Sequence, residues 1–252
     1  MPPETRTQAR MPFSSDIVLP PPFTLLKLRE VGDAFAHATA IAAESGAGTL
    51  VYVGRFDLAE FAVVLEPDEP LRSARRSFYA GMTALADALM AYAPPETPLA
   101  IGWPDAVLIN GALVGGGRLS WPRDADESKS ASWLVFGAMI RTVSLSNEPG
   151  LNPWTTALEE EGFTDFAAAR LVESFARHLM LAIDSWQEHG FAAVANGYLA
   201  RLSGETGARS DLDGNGDLLT RRAGRTDAER KRLLSALAEP SWFDPETGGP
   251  RL

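Results

Sequence analysis

The chain has 252 residues, 45% hydrophobic and 22% charged, the balance of a soluble globular protein with room for one large domain or a domain and an appendage. Acidic residues outnumber basic ones 33 to 23, a formal net charge of -10, which argues against any general attraction to nucleic acid or to an anionic membrane. Cysteine is absent, which excludes disulfides, thiolate metal sites and cysteine nucleophiles together.

Residues 1–22 are rich in Pro, Ser, Thr and Arg, show no apolar period and end in Pro20-Pro21-Pro22, so they read as an extended or disordered tail, with order beginning near Phe23. No basic stretch leads into an apolar segment there, and no run approaches the roughly 18 apolar residues of a membrane span, so the cytoplasm is the expected compartment. Glu30 to Ser45 predicts a helix, and Thr49 to Val53 and Phe61 to Leu65 predict two strands. Leu71, Ala74, Phe78, Met82, Leu85 and Leu89 recur at helical spacing, with Arg72, Arg75 and Arg76 on the exposed side and Pro94-Pro95 as the stop. Strands follow near Leu99 to Trp103, Val107 to Ile109, Ala112 to Leu119 and Trp133 to Val143, the last two divided by a charged loop from Arg123 to Lys129. Hairpin order of this kind implies mainly antiparallel pairing.

The second half is helical. Val172, Phe175, Leu179, Ala182 and Trp186 form a stripe with Thr164 or Asp165 as N-cap and Gly190 as the stop, and Phe191, Val194, Tyr198 and Leu202 predict a shorter helix. Gly204 to Gly216 is rich in turn residues; beyond it Asp217 to Thr220 has the pattern of a strand and Asp227 to Leu237 that of a short amphipathic helix. A boundary near Gly204 divides a domain over 23–203 from a small C-terminal extension over 204–252. No internal repeat is visible.

One stretch stands out, from Gly102-Trp103-Pro104-Asp105-Ala106 to Gly115-Gly116-Gly117. Asn110-Gly111 between Ile109 and Leu113 supplies the positive φ angles of a tight hairpin turn. Three glycines in the returning strand weaken it unless something approaches its backbone closely, which is the pattern of a ligand wall or of a bulge packed against a neighbour.

This stretch resembles the core motif of the biotin/lipoate protein ligases, which reads roughly Lys-Trp-Pro-Asn-Asp, a turn, a lysine and a pair of small residues. Trp103, Pro104, Gly115 and Gly116 agree; Gly102 stands at the first lysine, Asp105 and Ala106 at the Asn-Asp pair, and Leu113 at the catalytic lysine. Trp133 to Arg141 is similar to the family strand ending Gly-Ile-Gly-Ile-Asn, with Arg141 at the Asn. Thr155 to Gly162 is similar to the Ala-Thr-Ser-Leu-Glu-Glu segment, and Trp186 to Leu202 to the Trp-x-x-x-Gly-Phe and Tyr-x-x-x-Leu pattern. The likeness covers Phe23 to Leu202. It implies an α+β fold, a largely antiparallel mixed sheet flanked by helices, with the C-terminal extension as a small appendage.

The resemblance also implies adenylation of biotin, lipoate or a related acid with ATP and Mg, then transfer to a lysine of a biotinyl or lipoyl carrier domain. Here the family's Gly-Arg-rich loop is missing: Gly54 to Glu60 carries one arginine, Arg55. Crowded phosphate charge needs preorganised cations, so either Arg55, Arg118 or Arg141 replaces the lysine or the site binds without activating. Candidate ligand residues are therefore Arg55, Trp103, Pro104, Asp105, Leu113, Gly115, Gly116, Gly117, Arg118 and Arg141, with an acyl pocket beside Gly115 and Gly116. The alternative function is a non-catalytic acyl-ligand or carrier-domain binding protein. Acyl transfer through a cysteine, as in related octanoyltransferases, is excluded. A helix-turn-helix module before the domain has no room, and an oligomer is compatible with the sequence.

Other motifs fail on inspection. Asp211-Leu212-Asp213-Gly214-Asn215-Gly216 opens like a calcium loop, but its twelfth position is Arg222 where the ion needs a bidentate carboxylate, so a polar turn is the better reading. The glycine run lacks the Gly-Lys-Ser/Thr of a phosphate loop, His37, His178 and His189 have no partner at metal spacing, and Glu159-Glu160-Glu161 reads as a solvated face or helix start. No metal site is expected.

Overall fold

The computed structural model describes residues 17–144, 152–164, 166–204, 207–225 and 227–251. Seven strands form its central sheet: β1 (Thr24–Leu28), β2 (Thr49–Gly54), β3 (Leu58–Leu65), β4 (Leu99–Gly102), β5 (Ala106–Ile109), β6 (Ala112–Ser120) and β7 (Leu134–Arg141). Their spatial order is β1-β2-β3-β7-β6-β5-β4. Only β1 and β2 run parallel, and the helix α1 (Ala34–Ser45) supplies the crossover that such a pair requires. The expected antiparallel character holds for every other pair in the sheet.

Helices cover both faces. On one, α3 (Ser77–Met90), α4 (Ala168–His189) and α5 (Phe191–Leu199) enclose the principal core, where Phe61 and Phe136 meet Phe175 with ring centroids 4.6 and 5.6 Å apart. On the other, α1 lays Ala34, Ala38 and Ala42 on Val51, Val53, Ala62 and Val64. Alanine at every fourth position keeps that helix face flat, so α1 packs close to the sheet. The architecture is the expected α+β fold, with the sheet as the middle layer.

Several local expectations are corrected. The first helix begins at Ala34, because the Asp33 carboxylate accepts from Ala36 N at 2.8 Å and caps it, leaving Glu30 to Gly32 in a turn. The stripe from Leu71 is two helices, α2 (Leu71–Ala74) and α3. Arg75 at their junction is 5% exposed and pairs with Glu127 at 2.5 Å, while Arg76 pairs with Glu69 and lies over the Trp186 and Phe191 rings. Neither is a solvated surface group, since the loop acids supply partners that the helical pattern alone does not reveal. The long helix α4 has Ala167 at its N-cap rather than Thr164, and Asp165 lies outside the described residues.

Ile17 and Leu19 pack against the principal core, so ordered chain starts ahead of Phe23; residues 1–16 lie outside the described residues. Beyond α5 the chain builds β8 (Ala208–Leu212), β9 (Leu218–Arg222) and β10 (Glu229–Lys231), then α6 (Leu233–Ala238), then a small hairpin of β11 (Phe243–Asp244) and β12 (Gly249–Pro250). The helix expected over 227–237 is thus a strand followed by a shorter helix. Glu229 to Lys231 find ladder partners on β9 that sequence periodicity cannot show. Leu212, Leu218, Leu233 and Leu237 join the principal core, and Tyr79 donates to the Gly216 carbonyl at 2.5 Å. Among the described residues no helix is long and apolar enough to cross a membrane.

Candidate functional site

The hairpin turn at Asn110-Gly111 forms as the sequence predicts, with φ angles of 50 and 83° and β5 and β6 on either side. The Asn110 side chain donates to Glu161 at 2.5 Å, and Thr156 donates to the same carboxylate at 2.7 Å, so Glu161 is an acceptor in a local network, not merely a solvated acid. The register shifts between Val107 and Leu108, making a bulge in which Gly115 adopts φ 152°. A Cβ there would stand 2.0 Å from the Met139 carbonyl oxygen, so close strand approach explains this glycine without a ligand.

The Trp103-Pro104 pair, joined by a cis peptide bond, serves the fold on the helical face. Trp103 Nε1 donates to Tyr79 Oη at 3.2 Å, and Tyr198 Oη donates to the Pro104 carbonyl at 2.8 Å. These two residues are not grouped with the other candidates.

Asp105, Gly116, Gly117, Arg118 and Arg141 are brought together, and what they surround is the segment Ser241–Arg251. Asp105 is 1% exposed; Ser241 N and Oγ donate to its two carboxylate oxygens at 2.8 and 2.6 Å. Burial pushes the Asp105 carboxyl above its ordinary range, against the opposing pull of the Ser241 bonds. The next residue, Trp242, is wholly buried and its Nε1 donates to the Gly117 carbonyl at 2.9 Å. A Cβ on Gly116 would lie 2.1 Å from the Asp105 carbonyl oxygen and 2.4 Å from the indole ring. Of the three glycines only Gly116 faces the indole; a Cβ on Gly117 would meet Met82 Sδ at 2.6 Å and the Phe136 ring at 3.1 Å in the principal core. Leu58, Ala106, Leu113 and Met139 complete the apolar nest around the indole.

Each candidate cation is also engaged. Arg118 is sandwiched between Phe35 and Phe243, 4.4 and 4.5 Å from the ring centroids, and reaches Asp33 at 3.4 Å; burial lowers its pKa. Arg141 donates to the Pro250 and Arg251 carbonyls at 2.7 and 3.4 Å, and burial lowers its pKa too. Arg55 makes a two-armed pair with Asp57 at 3.0 and 2.7 Å, which raises the arginine and holds the Asp57 carboxyl below its usual range. Leu113 bonds through its backbone to the Trp154 carbonyl and the Thr156 amide at 2.8 and 2.9 Å, while its side chain packs beside Trp242.

At the family positions Leu113 is apolar and all three arginines are held by this chain's own groups. The calcium-like turn does not fit a cation. Arg230 Nη1 sits 2.6 Å from Asp213 and 2.9 Å from Asp217, placing a guanidinium among the carboxylates. Ser241, Trp242 and Phe243 were missed at the sequence level; their signal is an aromatic pair in an otherwise polar tail, Glu-Pro-Ser-Trp-Phe-Asp-Pro-Glu.

Comparison with known proteins supplies the relationship. Residues 19–200 match the model of the biotin/lipoate A/B protein ligase family. A biotin-[acetyl-CoA-carboxylase] ligase from Paracoccus denitrificans is 32% identical over 150 residues, which span 56% of this chain and 59% of that protein. Among solved structures, a biotin protein ligase-like protein of unknown function from Silicibacter sp. superposes with a TM-score of 0.76 at 30% identity, covering 89% of this chain and all of the other. The biotin protein ligase of Aquifex aeolicus shares the fold, with a TM-score of 0.62 at 15% identity over 83% of this chain and 99% of its own. The motif around Trp103 and Gly116, the sheet order and these matches agree, and the chain belongs to the biotin/lipoate A/B protein ligase family.

Proposed function

We propose that this family member does not adenylate biotin or lipoate, and that its motif-bearing sheet face binds without activating. The observation that carries this reading is that, among the described residues, the lysine position is apolar and each of the three candidate arginines has a partner within the chain. Leu113 holds the lysine position, and Arg55, Arg118 and Arg141 are engaged by Asp57, by two aromatic rings with Asp33, and by the C-terminal carbonyls. Phosphoryl chemistry depends on donors preorganised for the transition state, and removing one such donor commonly lowers the rate by about a hundredfold or more. The function left to the face is recognition of an acyl ligand or of a biotinyl or lipoyl carrier domain, in the cytoplasm.

The similarity to the Paracoccus ligase favours a second reading, an ATP-dependent ligase acting on biotin, lipoate or a related acid and a carrier lysine. Pyrophosphate exchange with biotin, lipoate and octanoate decides between them. No exchange is expected from the native chain. Leu113→Lys should recover little, because catalytic groups that act as a unit are strongly non-additive. Exchange by the native chain that is lost in Arg55→Ala or Arg141→Ala would establish the ligase reading and identify the replacing cation.

A further inference from the structure

We propose that residues Ser241–Arg251 form a displaceable strap, an internal ligand that leaves as a unit and competes with a free organic acid for the face of β6 that carries Gly116. The ligand part rests on the binding reading above; the opening of the strap does not.

The strap's contacts have the character of a bound ligand. It is the last described segment of the chain, and within 241–251 only Trp242 and Pro250 are buried. Its hold on the sheet is an indole in an apolar nest, one N–H to Gly117, two donors to Asp105, one ring on Arg118 and backbone carbonyls on Arg141. Withdrawal would free matched groups in one place: two acceptors, the Gly117 carbonyl and the Asp105 carboxylate, and the Arg141 guanidinium as donor, with Gly116 between them, while Arg118 loses the Phe243 ring and keeps Phe35 and Asp33. That set suits a compact apolar body that offers an N–H or O–H donor at one end and a carboxylate at the other. Leaving those buried groups unpaired is unfavourable, so strap and ligand are alternatives for the same site.

Internal occupancy lowers apparent affinity by the fraction of molecules that are open, so a strap open about one time in a hundred weakens binding about a hundredfold. Six tryptophans are present, and 5-fluorotryptophan gives each a separate ¹⁹F signal, with that of Trp242 assigned by Trp242→Phe. In the full-length protein, hydrogen exchange at the Trp242 indole and the Ser241 amide should proceed through a local opening, faster than exchange of β7 amides.

Titration with biotin, which carries ring N–H donors and a carboxylate, should shift the Trp242 signal toward that of a solvated ring. Octanoate, which lacks the N–H donor, should do so more weakly. Ser241→Ala and Trp242→Ala should each raise biotin affinity by roughly tenfold or more. The milder Ser241→Ala remains informative should the larger change impair folding.

The proposal is overturned if the Trp242 indole exchanges only with global unfolding, if biotin binds without moving its signal, or if neither variant binds any of biotin, lipoate and octanoate better than the native chain. Pyrophosphate exchange by Trp242→Ala would refute the non-adenylating reading while leaving the strap intact.

Discussion

Asp105 carries a carboxylate at 1% exposure whose described side-chain partners are both donors of Ser241. Because burial raises its folded-state pKa above the unfolded value, the native state retains this proton to higher pH than the unfolded chain does. The group's contribution to stability is then full below the ordinary Asp range and is lost as the pH rises through the raised value. Asp105→Asn keeps an oxygen for Ser241 and removes the titration. Urea unfolding of both proteins from pH 7 down to pH 4 should show the native chain gaining stability relative to the variant as the pH falls; parallel curves would contradict this assignment. Gly116 offers a second single-residue test. The Cβ of Gly116→Ala would meet the Asp105 backbone at 2.1 Å, so destabilisation of about 1–3 kcal/mol is expected in the same assay.

Among elements, the strap differs from the rest of the core in how it is held. Replacing a buried Phe or Trp by Ala usually destabilises by about 3–5 kcal/mol, and Phe136, packed between α3 and α4, should follow that rule. Trp242 is equally buried, yet the loss on Trp242→Ala is capped by the free energy of opening the strap, beyond which the segment simply leaves. Denaturant curves should therefore show a smaller loss for Trp242→Ala than for Phe136→Ala, and equal losses would argue for a permanently fused core. The β8–β9 turn makes a prediction of its own. Arg230 already supplies positive charge to Asp213 and Asp217, so calorimetric titration with calcium should give no saturable binding to the native chain.

At the scale of the whole molecule, periodicity and turn chemistry determine much. The alternating and helical stripes place six of the seven sheet strands, missing β1, and the three large helices; Asn110-Gly111 sets the hairpin, and the ordered motif from Trp103 through Tyr198 marks the family. These features are local in sequence, where backbone preference and residue spacing act directly. The site itself was half legible: Asp105, Gly116, Gly117, Arg118 and Arg141 do converge, while Trp103 and Pro104 turn out to brace the helical face. What Gly116 faces was decided by Trp242, more than a hundred residues away along the chain. The burial of Arg75, the shortened α6 and the neutralised turn at Asp213 were likewise settled by partners distant in sequence. Sequence alone determined which residues can form strands, turns and an amphipathic layer, because those choices depend on near neighbours. Only the tertiary structure decided which charges are available and what fills the motif's face, because pairing and burial depend on which distant groups the fold brings within a few ångströms.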